Sequence, residues 1–276
     1  MINTTNNPEG ARIVIVTGAT GAIGKAIARQ IAAAPGYNVV LIGRDERRTH
    51  QATQEIIRST GNENVRYEIV DLSRRGEIEA LVGRWSGPLH VLVNNAGATP
   101  RKRLETPEGI EMQWATNVLG YFWLTLAFQE LLIQAAPARV VNVASYWAGN
   151  LDLADPEFKR RRYDNGLAYR QSKQANRMLT VAFADRLRPH DVTVNVCHPG
   201  DVNSKLSNDL GFGGSESPDQ GARTPVWLAV DPAVEGQTGL YYEHLRVTTD
   251  RFAQDKATLE VLYELCLSYG SPAGSG

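Results

Sequence analysis

Short β-branched apolar runs alternate with longer segments of helical spacing along almost the whole chain, and the first run leads straight into a glycine-rich turn. The runs are Arg12 to Val16, Val39 to Ile42, Val65 to Val70, Leu89 to Val93, Arg139 to Val143 and Thr193 to Cys197. Several are apolar throughout instead of at every second position, the pattern of strands in a parallel sheet covered on both faces. Between the first two, Ile23, Ile27 and Ile31 recur at helical spacing until Pro35-Gly36 stops them. Ser73 is the expected N-cap of a helix running to Gly83. Six such strands interleaved with helices predict an α/β fold, a doubly wound parallel sheet with helices on both faces. No Pro/Gly/Ser-rich linker divides the chain. Residues 11–270 are expected as a single domain, between a flexible N-terminus, 1–10, and a flexible tail, 271–276.

Composition narrows the function. Among 276 residues, 29 Lys and Arg stand against 30 Asp and Glu. That balance speaks against a protein built to grip phosphate backbones, so no nucleic acid partner is expected. The two cysteines, Cys197 and Cys266, lack metal-ligand spacing, so no metal site is expected. The longest apolar stretch, Val118 to Phe128, is far short of the roughly 20 residues a spanning helix needs. With a polar start and no signal pattern, the expectation is a cytoplasmic protein without a membrane anchor.

The turn after the first strand reads Thr17-Gly18-Ala19-Thr20-Gly21-Ala22-Ile23-Gly24. Glycines there let the backbone bend and approach a pyrophosphate seated on the next helix's N-terminus; a tight turn needing glycine for geometry alone is the plainer alternative. The end of the second strand bears on which dinucleotide fits. NAD sites usually carry an acid there for the ribose 2′-hydroxyl, but this chain has Gly43 followed by Arg44, a guanidinium suited to a 2′-phosphate. The expected cofactor is therefore NADP(H), ahead of NAD(H). Lys25 could add charge, and Asp45 could cap the following helix.

Tyr169 and Lys173 lie four residues apart in a helical segment, Leu167 to Leu187, and share one face. A neighbouring ammonium lowers a phenol's pKa, which would make Tyr169 a proton donor and acceptor. Ser145 follows a strand's C-terminal end, where open α/β sheets place ligands. Asn117 lies in an apolar helix expected from Gly109 to Gln134, with Trp114, Tyr121, Phe122 and Trp123 as core or subunit-interface residues. Asn94-Asn95-Ala96-Gly97 ends the fourth strand on the same rim. Plain readings cover the rest: Lys159 to Arg162 as a solvated face, His198 as the entry to a turn, and Cys197 as a small buried residue. The segment 201–221 is expected to be a substrate lid, with Leu206, Leu210 and Phe212 lining an apolar pocket beside Tyr146 and Trp147.

On these residues the chain resembles the short-chain dehydrogenases/reductases, from about Arg12 to Tyr242, and within them the branch similar to retinol dehydrogenases and WW-domain oxidoreductases. The resemblance implies a Rossmann-type fold and a catalytic tetrad of Asn117, Ser145, Tyr169 and Lys173. It implies cofactor contacts at Thr17, Gly18, Thr20, Ala22, Ile23 and Gly24, and through the Asp71-Leu72 pair at the adenine. Asn95, Ala96 and Gly97 match the family's NNAG stretch. Pro199, Gly200 and Val202 match the stretch that meets the nicotinamide carboxamide, with Ser204 in the place of the usual Thr. The mechanism implied has Ser145 and Tyr169 binding a substrate carbonyl, Lys173 holding the nicotinamide ribose and lowering the Tyr169 pKa, and Asn117 positioning a water. The expected function is NADPH-dependent reduction of a medium-sized lipophilic or aromatic ketone or aldehyde. Reduction of a conjugated C=C bond and a non-catalytic dinucleotide sensor are the alternatives. A homodimer or homotetramer built on the two long helices is compatible with the family.

Overall fold

The computed structural model describes residues 10–269; the flexible ends expected at 1–10 and 271–276 lie outside it, Gly10 apart. Eight strands form one sheet in the order β3-β2-β1-β4-β5-β6-β7-β8. They are β1 (Arg12–Thr17), β2 (Tyr37–Gly43), β3 (Val65–Ile69), β4 (Val91–Asn94), β5 (Ala138–Val143), β6 (Val192–His198), β7 (Tyr241–Glu243) and β8 (Arg246–Thr248). All pairings are parallel except that of β8 with β7. The six expected strands are present; β7 and β8 add to them.

The unbroken apolar strands have the expected cause. In β1, Ile13 and Ile15 enter one core, while Val14 and Val16 enter another on the opposite face. The second core is closed by α1 (Ala22–Ala33), α2 (Glu46–Thr60) and α8 (Pro218–Val230). The first is closed by α3 (Arg75–Gly83), α4 (Gly120–Ala127), α5 (Gln129–Gln134), α6 (Asn165–Leu187) and α9 (Lys256–Ser268). The remaining helix, α7 (Lys205–Asp209), lies outside both layers.

Two local expectations are corrected. Asp71 accepts from both the Ser73 N–H and its hydroxyl, at 3.0 and 2.7 Å, so Ser73 is not free to cap α3 and Arg74 stands at the N-cap. The single helix expected from Gly109 to Gln134 is three pieces. Gly109 sits in a turn at φ +79°, the helical path opens as a π-helical turn over Trp114–Leu119, and Phe128 separates α4 from α5. Trp114, Tyr121, Phe122 and Trp123 are all buried within the chain, which makes them core and not a free interface. No helix among the described residues is long and apolar enough to cross a membrane.

Candidate active site

The strand order reverses between β1 and β4, and an open α/β sheet leaves its binding crevice at the C-terminal ends of such a pair. Val16 of β1 is level with Val93 of β4, so Thr17 and Asn95 emerge side by side. The buried Thr17 hydroxyl accepts from the Asn95 and Ala96 N–H groups at 2.8 and 3.0 Å, and the Asn95 amide donates back to Thr17 O at 2.9 Å. This knot leaves no room beneath the glycine turn. A Cβ on Gly18 (φ +64°) would lie 2.7 Å from Ala96 Cα, and one on Gly24 would lie 2.4 Å from Gly18 O and 2.5 Å from Asn95 Nδ2. Gly21 is the N-cap of α1, without a side chain on the first-turn N–H groups and without an acidic residue near them. Thr20, Ala22 and Ile23 flank those free donors. A pyrophosphate fits such a cradle of close backbone and uncapped N–H groups.

At the end of β2, a Cβ on Gly43 would lie 2.2 Å from the hydroxyl of Thr49. An acidic side chain cannot occupy position 43 while Thr49 packs there. Asp45 is committed elsewhere, since its carboxylate caps α2 by accepting from the Arg48 N–H at 2.9 Å. Arg44 is exposed at the strand's end. Lys25 is engaged by Glu55 at 2.9 Å and is not a free cation. Arg48, which the sequence reading passes over, reaches within 3.5 Å of Thr20 O and lines a shallow cleft of about 140 Å³ with Thr20, Lys25 and Glu55. Its signal was the spacing of four from Arg44 at a helix start. Leu72 is buried behind Asp71, its carbonyl 2.8 Å from where a Gly120 Cβ would stand.

Of the NNAG stretch, Asn94 faces the core, donating to Asn142 Oδ1 and Thr125 Oγ1 at 2.9 and 3.2 Å, while Asn95, Ala96 and Gly97 stay on the rim. Asn117, in the π-helical turn, clamps the next residue at two points: its Oδ1 accepts from Ala98 N at 2.8 Å and its Nδ2 donates to Ala98 O at 3.0 Å. Its side chain thereby ties the turn to the rim's backbone, and Nδ2 also reaches Ser172 Oγ at 3.3 Å.

Ser145 lies two residues past β5, 6 % exposed, and its hydroxyl accepts the Trp147 N–H at 3.0 Å and stands near enough to the Tyr169 phenol to favour its ionised form. Asp164 caps α6 by accepting from Leu167 N–H, which fixes the start of the helix carrying Tyr169 and Lys173. Lys173 is 3 % exposed and donates to Val143 O at 2.9 Å, a carbonyl shared with the Tyr121 hydroxyl at 3.3 Å. Its Nζ is 5.3 Å from the Tyr121 ring centre and 5.7 Å from that of Tyr169. Burial lowers the Lys173 ammonium from 10.5 to about 7. Burial likewise raises the Tyr169 phenol to about 12, against the pull of the nearby Ser145 hydroxyl, with Asp201 and Tyr146 adding to the rise. The expectation that Lys173 lowers the Tyr169 pKa is thus corrected for the protein alone, because desolvation outweighs an ammonium that is itself half neutral. His198 is held down to about 4, chiefly by burial, so it stays neutral at pH 7. Burial also pushes the Cys197 thiol up, away from nucleophilic use.

The 201–221 segment is more ordered than a glycine-rich loop suggests. Ser204 and Ser207 form a reciprocal capping box at the start of α7, which commits the Ser204 hydroxyl. Leu206 packs over Gly97, 3.1 Å from where its Cβ would be, and Val202 pairs with Glu216 across the segment. Gly200 follows Pro199 at φ +101°. Phe212 meets Trp147 edge-on at 5.0 Å, and Tyr146 meets His198 at 4.7 Å. Lys159 to Arg162 is not simply solvated: their chain wraps the buried Asp155, whose carboxylate accepts three successive N–H groups and the Arg161 guanidinium.

Comparison with known proteins places this geometry. The family model described as short chain dehydrogenase matches residues 12–211. Retinol dehydrogenase 13 of Mus musculus is 32 % identical, over 95 % of this chain and 86 % of its own. A crystal structure from Mycobacterium paratuberculosis aligns with TM-score 0.76 and 29 % identity, covering 95 % of both chains. The RhlG/NADP active-site complex of Pseudomonas aeruginosa aligns with TM-score 0.65 and 25 % identity, over 84 % of this chain and 94 % of that one.

Proposed function

The chain belongs to the short-chain dehydrogenase/reductase family, in its retinol-dehydrogenase-like branch, and on that premise we propose that it is an NADP(H)-dependent oxidoreductase reducing a lipophilic or aromatic ketone or aldehyde to an alcohol. The observation that carries this reading is the buried grouping of Ser145, Tyr169 and Lys173, on the same sheet edge as the glycine cradle. Bound NADPH would supply the hydride. Ser145 and Tyr169 would donate to the carbonyl oxygen as it gains charge, an arrangement aimed at the transition state. Tyr169 then gives up its proton, and Lys173, titrating near 7, stands close enough to offset the phenolate and take part in its reprotonation. Asn117 keeps the Asn95–Ala98 rim in place.

Preference for the 2′-phosphorylated cofactor is supported by exclusion as well as attraction. Thr49 keeps an acid out of position 43, Asp45 is spent on a helix cap, and Arg44 and Arg48 are the cations at that end. The NADP in the RhlG complex is in keeping with this choice. Residues 11–270 act in this reading as one catalytic domain, and 201–221 as its lid, with Leu206, Phe212, Tyr146 and Trp147 lining the substrate side.

The test is fluorescence titration with NADPH and NADH, followed by a panel of ketones, aldehydes and enones read at the nicotinamide absorbance. Tyr169→Phe is expected to abolish turnover while leaving NADPH affinity within about threefold, since it removes one donor used in the chemical step. Turnover of that variant near the wild-type rate would sink the assignment.

A further inference from the structure

Glu216 closes the lid segment from its far end. Its N–H donates to Asp201 O at 3.0 Å, its carbonyl accepts from Asn203 N–H at 3.1 Å, and it pairs in parallel with Val202. These backbone bonds, and not the loop around them, set where the side chain goes. The carboxylate folds over Gly200: a Cβ there would lie 1.7 Å from Oε2 and 2.7 Å from Cδ. Residue 200 is thus held without a side chain twice over, by its φ of +101° and by the carboxylate that fills the space. Yet Oε2 is shut from solvent and has no hydrogen-bond partner among the described residues.

A buried carboxylate oxygen left unpaired is costly, and such groups are ordinarily matched to a donor. The oxygen lies against the turn beyond β6, and β6 runs next to β5, the strand that leads to Ser145. The other carboxylate of that turn, Asp201, faces the Tyr146 hydroxyl, whose pKa it helps burial to raise. We propose that Glu216 is a positioning residue that accepts an N–H of the nicotinamide carboxamide and, through its charge, favours the oxidised cationic ring over the reduced one. This rests on the dinucleotide reading above.

Calorimetric titration of wild type, Glu216→Ala and Glu216→Gln with NADP+, NADPH and the 3-acetylpyridine analogue of NADP+ tests it, because the analogue's methyl ketone has no N–H to donate. Wild type is expected to bind NADP+ about tenfold or more tightly than the analogue, the worth of a hydrogen bond to a charged acceptor. Glu216→Ala should weaken NADP+ about tenfold more than the analogue, which shares the cationic ring but has no N–H to donate, collapsing that discrimination. Glu216→Gln, which keeps a neutral acceptor, should restore most of the amide discrimination but lower the ratio of NADP+ to NADPH affinity. Wild type binding NADP+ and the analogue equally overturns the proposal without recourse to any variant. So does equal weakening of both by Glu216→Ala, which would make the residue a brace for the turn. Wild type binding no dinucleotide at all defeats the underlying reading and the proposal with it.

Discussion

Replacing Lys173 with Met should stabilise the cofactor-free protein, and the gain should vanish as the pH rises. Burial moves this ammonium from 10.5 to about 7 on folding. At 1.36 kcal/mol for each pH unit of displacement, wild type gives up on the order of 5 kcal/mol of stability at pH 7 and below. The unfolded chain binds the proton up to 10.5 and the folded chain lets it go near 7, so the deficit is complete below 7 and disappears as the pH approaches 10.5. Methionine has nearly the same reach and no charge to desolvate. Val143 O keeps the Tyr121 hydroxyl as its donor when the lysine is gone. Imperfect packing takes back roughly 1–2 kcal/mol, leaving Lys173→Met about 3 kcal/mol more stable near pH 6.5. Urea unfolding of both proteins at pH 6.5, 8 and 9.5 measures this, with groups common to both cancelling in the difference. The gap should narrow by about 3 kcal/mol between pH 7 and 9.5. A gap that stays constant with pH, or a variant less stable than wild type at pH 6.5, would refute the reasoning. Turnover should be lost throughout, so the lysine is a case of function held against stability.

Two further outcomes follow from neighbouring features. Arg177 and Asp250 form a two-point ion pair at 3.1 and 3.0 Å, both side chains below a tenth exposed, with the guanidinium 3.6 Å from the Tyr241 ring centre. Asp250→Ala leaves that cation buried and should cost about 3–5 kcal/mol in urea unfolding, most of it recovered in Arg177→Met/Asp250→Leu; a loss below about 1 kcal/mol would show the pair to be dispensable. Gly24→Ala drives a methyl into Gly18 O and Asn95, and should weaken NADPH binding at least tenfold, at an overpacking cost of about 1–3 kcal/mol. Gly76→Ala, in α3 with open space around it, should leave binding unchanged and raise stability by about 0.5–1 kcal/mol. Equal NADPH affinities for the two variants would contradict the tight-cradle account.

The parts of the fold visible in the sequence are those fixed by repeated, local patterns. Apolar strands such as Val39 to Ile42 show themselves because both faces are covered, and the four-residue step from Tyr169 to Lys173 survives because α6 is regular there. The strands β7 and β8 leave little trace: three residues each, with Tyr241-Tyr242-Glu243 aromatic and mixed instead of aliphatic. The helix expected from Gly109 failed for a physical reason, since an apolar run reports burial and not continuity of hydrogen bonding. Residue roles that depend on long-range contact were likewise hidden. The occupation of Gly43's space by Thr49, the pairing of Lys25 with Glu55, and the carboxylate lying over Gly200 each join segments whose proximity only the folded sheet creates. The sign of the Tyr169 shift was missed because helical spacing shows a neighbouring charge but not how little solvent reaches either group.

The π-helical turn at Trp114–Leu119 amounts to one extra residue held within an otherwise α-helical path. Its history and its tolerance to change can be read in those terms. A single-residue deletion inside the turn would let the helix close up in α register, with α4 and its buried aromatics docking on the same face as before. Most of the molecule would not register the loss. Asn117, however, would swing away from Ala98 by about 100°, the angular step of one helical residue. The extra residue therefore marks a place where length variation among related chains should be almost forbidden, although the surrounding helix would fold more regularly without it.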